Sequence, residues 1–351
     1  MRTSTSLLAA LLVVPATLVA ANWYVRATPQ TVVIGHYSAK TAPILTIKSG
    51  DVVDIETVSG NPASLVRMGL AAKDLPPALV AIDRDVKDRG PGGHILTGPI
   101  AVEGAEPGDT LEVHIVKVTL PLPWAYNSFR PTSGFLPEDF PRSASKLIPL
   151  DLARNIARFG PGIEIPLRPF FGSMGVAPPP DAGRFNSAPP WLHAGNLDNK
   201  ELVAGTTLYI PIHVKGALFQ VGDGHAGQGN GEVDITAMET ALNGSFRLVV
   251  RKDLHLKWPR AETPTHFIVM GMNEELVDAT KQAVREMIAF LVTEKGLSPD
   301  DAYMLTSVAA DFSITQLVDG KKGVHGMIRK SLFVATQPVP PALATPALPK
   351  K

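Results

Sequence analysis

Val221-Gly222-Asp223-Gly224-His225-Ala226-Gly227-Gln228-Gly229-Asn230-Gly231-Glu232 runs on into Val233-Asp234-Ile235-Thr236-Ala237-Met238-Glu239. Gly222, Gly224 and Gly227 form a Gly-x-Gly-x-x-Gly match. In a dinucleotide-binding unit that motif must open a helix. Here the residues from Glu232 to Thr240 alternate instead, which predicts a strand. The stretch therefore argues for a β-rich fold over a doubly wound one. A calcium loop fits poorly as well, because its acidic residues recur at alternate positions before a distant Glu. A loop without bulk remains, carrying carboxylates and an imidazole, a side-chain set suited to a metal or hydrolytic site. On extended backbone Asp223 and His225 point the same way, with Glu232 close behind. The run also reads as a glycine-rich hairpin whose polar groups satisfy backbone. Residue types alone leave these two readings level.

The β signal spreads outward from this run. Short apolar stretches around Val32 to Ile34 and Ile44 to Ile55 are punctuated by Ser49-Gly50-Asp51. Asp109 to Val118 alternates, with Leu111, Val113 and Ile115 on one face. Thr206 to Val214, Ser245 to Arg251 and Thr265 to Met270 read as further strands. The period then changes. Leu276, Ala279, Ala283, Met287 and Leu291 recur at helical spacing behind Asn273 as N-cap. A second helix opens at Ser298-Pro299, with Asp300 and Asp301 in its first turn. The predicted class is α+β and β-rich, a sandwich- or barrel-like core with a C-terminal helix pair packed on it. Residues 121–190 are rich in Pro and Phe and read as long ordered loops that cover something. They would join a β-rich half, 30–120, to an α+β half, 190–335.

Composition excludes several function classes. Lys plus Arg (33) equals Asp plus Glu (33), so nothing favours nucleic acid as a partner. There is no cysteine, which removes thiol nucleophiles, thiolate metal sites and disulfides. The thirty-two prolines and thirty glycines favour turns and strands over long helices. Arg2, the apolar run Leu7 to Ala20 and the small residues through Ala21 read as a secretory signal over 1–21. The mature chain is then expected in the periplasm or outside the cell, with no membrane association after cleavage. A Pro- and Ala-rich tail, 336–351, expected to be flexible, follows the main region over 22–335.

Two further segments carry candidate chemistry. Gly93-His94-Ile95-Leu96-Thr97-Gly98-Pro99-Ile100-Ala101-Val102-Glu103 places a His and a Glu about a turn; alone, His94 reads as an exposed loop residue. Pro190-Trp191-Leu192-His193-Ala194-Gly195-Asn196-Leu197-Asp198 clusters His193, Asn196 and Asp198, which a capped turn also explains. Gly172-Ser173-Met174-Gly175 is not a nucleophile elbow.

Taken together, these segments resemble the acetamidase/formamidase family. The matching stretches are Leu96-Thr-Gly-Pro-Ile-Ala-Val-Glu-Gly-Ala-Glu-Pro-Gly-Asp109, Arg168-Pro-Phe-Phe-Gly-Ser-Met-Gly-Val-Ala-Pro178, His193-Ala-Gly-Asn-Leu-Asp198 and Gly216 to Glu232. Gln316-Leu-Val-Asp319 and Lys330-Ser-Leu-Phe333 add to them, so the likeness spans residues 30 to 335. It implies hydrolysis of a short amide to carboxylate and ammonia, a β-rich fold with appended helices, a homo-oligomer, and in some members a divalent zinc or calcium. Asp223, His225, Glu232, Glu103, His193, Asn196 and Asp198 carry over as site residues. The chain departs from the pattern at Asn230, where Asp is usual, at Ala194 and at Gly227. The signal segment is also unusual for the family.

Without a thiol or a serine motif, activated water is the expected nucleophile. In that scheme Asp223 and His225 hold a metal, with His193 or Glu103 completing the sphere. Glu232 is the general base, and Asn196 holds or orients the amide. Asp198, His94 and Phe171 contact the substrate. Two alternatives follow from Asn230 and the export signal: a binding protein of the same fold without amidase activity, and a hydrolase of another C–N substrate such as a lactam.

Overall fold

The computed structural model describes residues 22–334. The signal segment 1–21 and the tail 336–351 lie outside the described residues. Two large sheets face one another. One has nine strands, ordered from Asn22–Val25 at one edge to Ala310–Gln316 at the other. The second has eleven and includes Ile95–Val102, Phe170–Gly175, Ala194–Asn196 and Phe219–His225. Their facing side chains form the main core, with Leu111, Val113, Ile115, Phe246 and Leu248 from the first sheet against Ile100, Phe171, Phe219 and Val221 from the second. Strand alternation builds this core: Leu111, Val113 and Ile115 are at most 1% exposed, as a period of two requires.

The helix pair packs on the outer side of the nine-stranded sheet. Helices α1 (Pro62–Arg67), α2 (Pro77–Asp85), α3 (Leu276–Lys295) and α4 (Pro299–Ala309) are the α-helices of the described residues. In the strand His266–Asn273, Ile268, Met270 and Met272 point into the sandwich while Val269 meets Met287, Phe290 and Leu291 of α3. Ser298 caps α4 by accepting from Asp301 N, with Pro299 at its first position. The N-cap of α3 is Glu275, and Asn273 stands two residues earlier, its side chain accepting from Glu275 N.

Three expectations are corrected here. Glu232 to Thr240 is not a strand. Only Glu239–Thr240 pairs, and Glu232 and Ile235 have φ of 43° and 90°, which extended backbone cannot accommodate. Residues 121–190 are not a run of long loops, since the strands Trp124–Phe129, Ala144–Asp151, Ile156–Gly160, Ile163–Pro166 and Phe170–Gly175 break it up. The expected β-rich half, 30–120, and α+β half, 190–335, share one sheet. Asn243–Arg251 pairs with both Val52–Glu56 and Thr110–Thr119, so strands from 30–120 and 190–335 alternate within one sheet.

The short helices α1 and α2 cover the outer side of the eleven-stranded sheet. Leu65, Leu79 and Ile82 pack there with Ile34, Val58, Ile95 and Trp124. Pro62 and Pro77 sit at first-turn positions, where a missing N–H costs nothing. The cleft between these helices and the sheet holds the site.

Candidate active site

The strand Phe219–His225 sends Phe219 and Val221 into the core. Asp223, at φ 55°, breaks the alternation. His225 then lies against Phe170 (5.0 Å, edge-on), while Phe171 points the other way into the core against Phe246. Phe171 is therefore a core residue and not a substrate contact, and its neighbour Phe170 is the one that touches the site. Sequence alternation sets two faces for Phe170 and Phe171 but not which of them looks outward.

Asp223, His225 and Glu239 converge: His225 Nε2 is 3.3 Å from Asp223 Oδ2 and 3.2 Å from Glu239 Oε1. Gln228 fixes the ring. Its Nε2 donates to Asp198 O (2.8 Å), so its Oε1 faces His225 Nδ1 at 3.0 Å and accepts that N–H. Nε2 is left aimed at two carboxylates with no aligned hydrogen-bond partner. Asp198 and Glu232 approach the same imidazole, and these three residues offer ligand atoms within 4.8 Å of one another, as do Asp223, His225 and Glu239. Asn196 Nδ2 donates to Asp198 Oδ2 (2.6 Å) and Asp319 Oδ2 (3.3 Å). His94 Nδ1 donates to Ser187 O (3.1 Å), and its Nε2 lies 3.8 Å from Asp223 Oδ2.

So many buried carboxylates in one place cannot all ionise freely. Burial, then the charges of Asp223 and Asp319, pushes Asp198 well up. Burial and the Asp198 charge do the same to Glu232. Burial raises Asp319 to about 7. Burial raises Glu239 against the pull of His225. Asp223 is held low: burial opposes its ionisation, but His94 and His225 outweigh it. His225 is pushed well up, burial being overcome by Glu239 and Asp223. Asp198, Asp223, Glu232 and Asp319 all have positive φ, from 43° to 61°. Non-glycine residues held there cost about 1–3 kcal/mol each and cluster at functional sites.

The residues fit a divalent cation on two counts. The orphaned His225 Nε2, Asp198 Oδ1 and Glu232 Oε2 are buried without partners, and imidazole plus carboxylate is a donor set for such ions. Gly172 also leaves a gap in the middle of them. A Cβ there would lie 2.5 Å from Asp198 Oδ1, 2.5 Å from Asp223 Oδ2 and 2.8 Å from His225 Cε1.

Asp223, His225, Glu232, Asp198, Asn196 and His94 are thus brought together, and Glu103 and His193 are not. Glu103 is exposed and lines a separate depression with Lys40 and Lys215; its strand ends just before it, so it faces away from the cleft. His193 is fully buried in an aromatic box of Tyr37, Phe185 and Trp191, outside either ligand group. Asn230 is exposed at the loop tip, away from the cleft lining. Sequence reasoning missed Glu239 and Asp319. Glu239 closed the stretch read as one strand, and Asp319 sits in the turn before Lys322–Arg329, where Val318-Asp319-Gly320 was the available signal.

The family model for the acetamidase/formamidase family matches residues 37–184 and 181–328, and the chain belongs to that family. It is similar to the formamidase of Methylophilus methylotrophus, 27% identical over 191 residues, covering 40% of this chain and 47% of the relative. The chain spans about half the length of the curated relatives it matches. Among solved structures it resembles an acetamidase from Bacillus halodurans (TM-score 0.74, 30% identity, covering 88% of this chain and 98% of that one). It also resembles an acetamidase from Yersinia enterocolitica (TM-score 0.76, 26% identity, covering 91% and 95%).

Proposed function

We propose that the chain hydrolyses a linear carboxamide to carboxylate and ammonia with water as nucleophile, after export and as a homo-oligomer. The observation that carries this reading is His225 Nε2, held by Gln228 with its lone pair toward Asp223 and Glu239. That arrangement calls for a cation or a proton between imidazole and carboxylates. Asp223, His225 and Glu239 would hold a divalent ion, zinc or calcium, in place of the set with His193 expected from sequence. Such an ion supplies a Lewis acid for the amide oxygen and a lowered water pKa.

Glu232 faces the cleft with Oε2 unpartnered, and its raised pKa brings it nearer a working pH, as a general base needs. It takes a proton from water as the new C–O bond forms and delivers it to nitrogen as the C–N bond breaks. Asn196 plays a different part from an oxyanion donor, because both Nδ2 contacts are committed to carboxylates. Its free Oδ1 accepts an N–H of the substrate amide and orients it. His94, anchored through Nδ1, turns Nε2 toward Asp223. Phe170 closes the back of the site and limits water.

Ammonia release from a panel of small amides, with metal analysis of the purified protein, tests the reading. Glu232→Gln is expected to fold, retain metal and lose turnover by about 10²–10⁴-fold. Retained turnover in that variant removes Glu232 from the role. A metal-free protein that still releases ammonia removes the ion.

A further inference from the structure

The cleft is large for the smallest amides. Its volume is about 390 Å³, within the range of roughly 300–1,000 Å³ typical of pockets for much bigger ligands. Formamide has three heavy atoms and fills only a few water volumes of about 30 Å³ each. The remaining space has a definite chemistry. One wall is apolar, with Ile34, Val58, Ile95 and the half-buried Met68 along it and the fully buried Leu65 and Ile82 behind them in the cluster under α1 and α2. The inner end is acidic, with Asp223, Glu232, Glu239 and Asp319 in its lining.

The rim carries two guanidiniums. Arg89 is committed, its Nη2 pairing with Asp83 at 3.0 Å. Arg130 is exposed at the end of Trp124–Phe129, and among the described residues its guanidinium has no ion pair or hydrogen-bond partner. Charge therefore runs from an acidic inner end, past an apolar wall, to one unpaired cation at the mouth. An anionic group is attracted to the unpaired guanidinium of Arg130 at the rim, which favours the orientation that places it there.

We propose that the cleft takes an amide bearing an apolar chain of several carbons ended by an anionic group, with the carboxamide at Asp223 and Glu239, the chain along Met68 and Ile95, and the anion on Arg130. This rests on the amidase reading for the fate of the amide, but not for the binding mode. A planar guanidinium suits a carboxylate, which it can engage through two N–H groups. Arg130 is a specificity-determining residue and takes no part in the bond changes.

The test compares three ligands of equal length: hexanamide, the half-amide of hexanedioic acid and the ω-amino analogue. Each is measured for ammonia release and, separately, for binding by calorimetry at low salt, on the full chain and on Arg130→Gln and Arg130→Glu. The expected order of both kcat/KM and affinity is anionic above neutral above cationic, with about fivefold between the first two, the scale of an exposed ion pair. Arg130→Gln brings that ratio to about one, and Arg130→Glu inverts it. An anionic ligand that binds no better than hexanamide overturns the proposal, as does a ratio unchanged in Arg130→Gln. If no amide, acetamide included, releases ammonia while the Arg130-dependent affinity persists, the amidase reading falls and the ligand class stands.

Discussion

Replacing Gly172 by Ala puts one methyl group at the centre of the site. The new carbon would start 2.5 Å from Asp198 Oδ1 and Asp223 Oδ2 and 2.8 Å from His225 Cε1, whereas ordinary contact begins at 3.4 Å. The two carboxylates must each retreat by close to 1 Å, or the strand Phe170–Gly175 must shift against its partners. A misplacement of about 1 Å costs on the order of 10²-fold in rate. Overpacking a tight position costs about 1–3 kcal/mol, part of it offset by the lower chain entropy of Ala when unfolded. The variant should therefore lose about 1–2 kcal/mol of stability by urea unfolding and about a hundredfold in kcat/KM for ammonia release, with reduced metal stoichiometry. Gly229→Ala is the control: nothing lies within 4 Å of a Cβ there, and its activity should match wild type. Gly172→Ala with wild-type kcat/KM and metal content would refute the convergence of Asp198, Asp223 and His225 as the reacting centre.

Two further outcomes follow from buried groups around the site. His193 is lowered to about 3 by burial, with His213 and Lys321 adding to it, so between about pH 6.5 and 3 the unfolded chain binds a proton that the folded chain does not. Stability must then fall as pH drops below 6.5, by up to ~1.4 kcal/mol per unit from this group; urea midpoints from pH 7 to 4 should fall less in His193→Phe, and equal falls would assign the effect elsewhere. Phe171→Ala should cost about 3–5 kcal/mol of stability while kcat of the folded protein changes little, whereas Phe170→Leu should lower kcat; a reversed pattern would place Phe171, not Phe170, against His225.

How much was legible in the sequence depended on distance along the chain. Asp223, His225 and Glu232 lie in one glycine-rich run, where residue type makes them candidates level with a structural reading and the family resemblance raises them above it. Glu239 follows closely, but its approach to His225 needs the irregular loop that replaces the predicted strand over 232–238. Asp319 and Asn196 are 123 residues apart, and only the sheet order brings their side chains together. The alternation of Leu111, Val113 and Ile115 and the cap at Ser298 were readable because they are local, whereas the start of α3 fell two residues beyond the expected cap at Asn273. The cleft wall from α1 and α2 was not: these helices span six and nine residues, too short for a periodicity to show. His193 resembles a ligand by type, and only its aromatic neighbours, brought in by folding, assign it to the interior.

The left-handed backbone of Asp198, Asp223, Glu232 and Asp319 ties durability and chemistry into opposition at the same four positions. Each of them would relax if it became glycine, which meets no steric penalty there, and each such change would also dilute a crowded group of like charges. A search for stabilising substitutions should therefore return glycine at these positions, at the expense of the carboxylates that line the candidate site. At these four positions the backbone strain and the crowding of like charges are thus relieved by the same substitution.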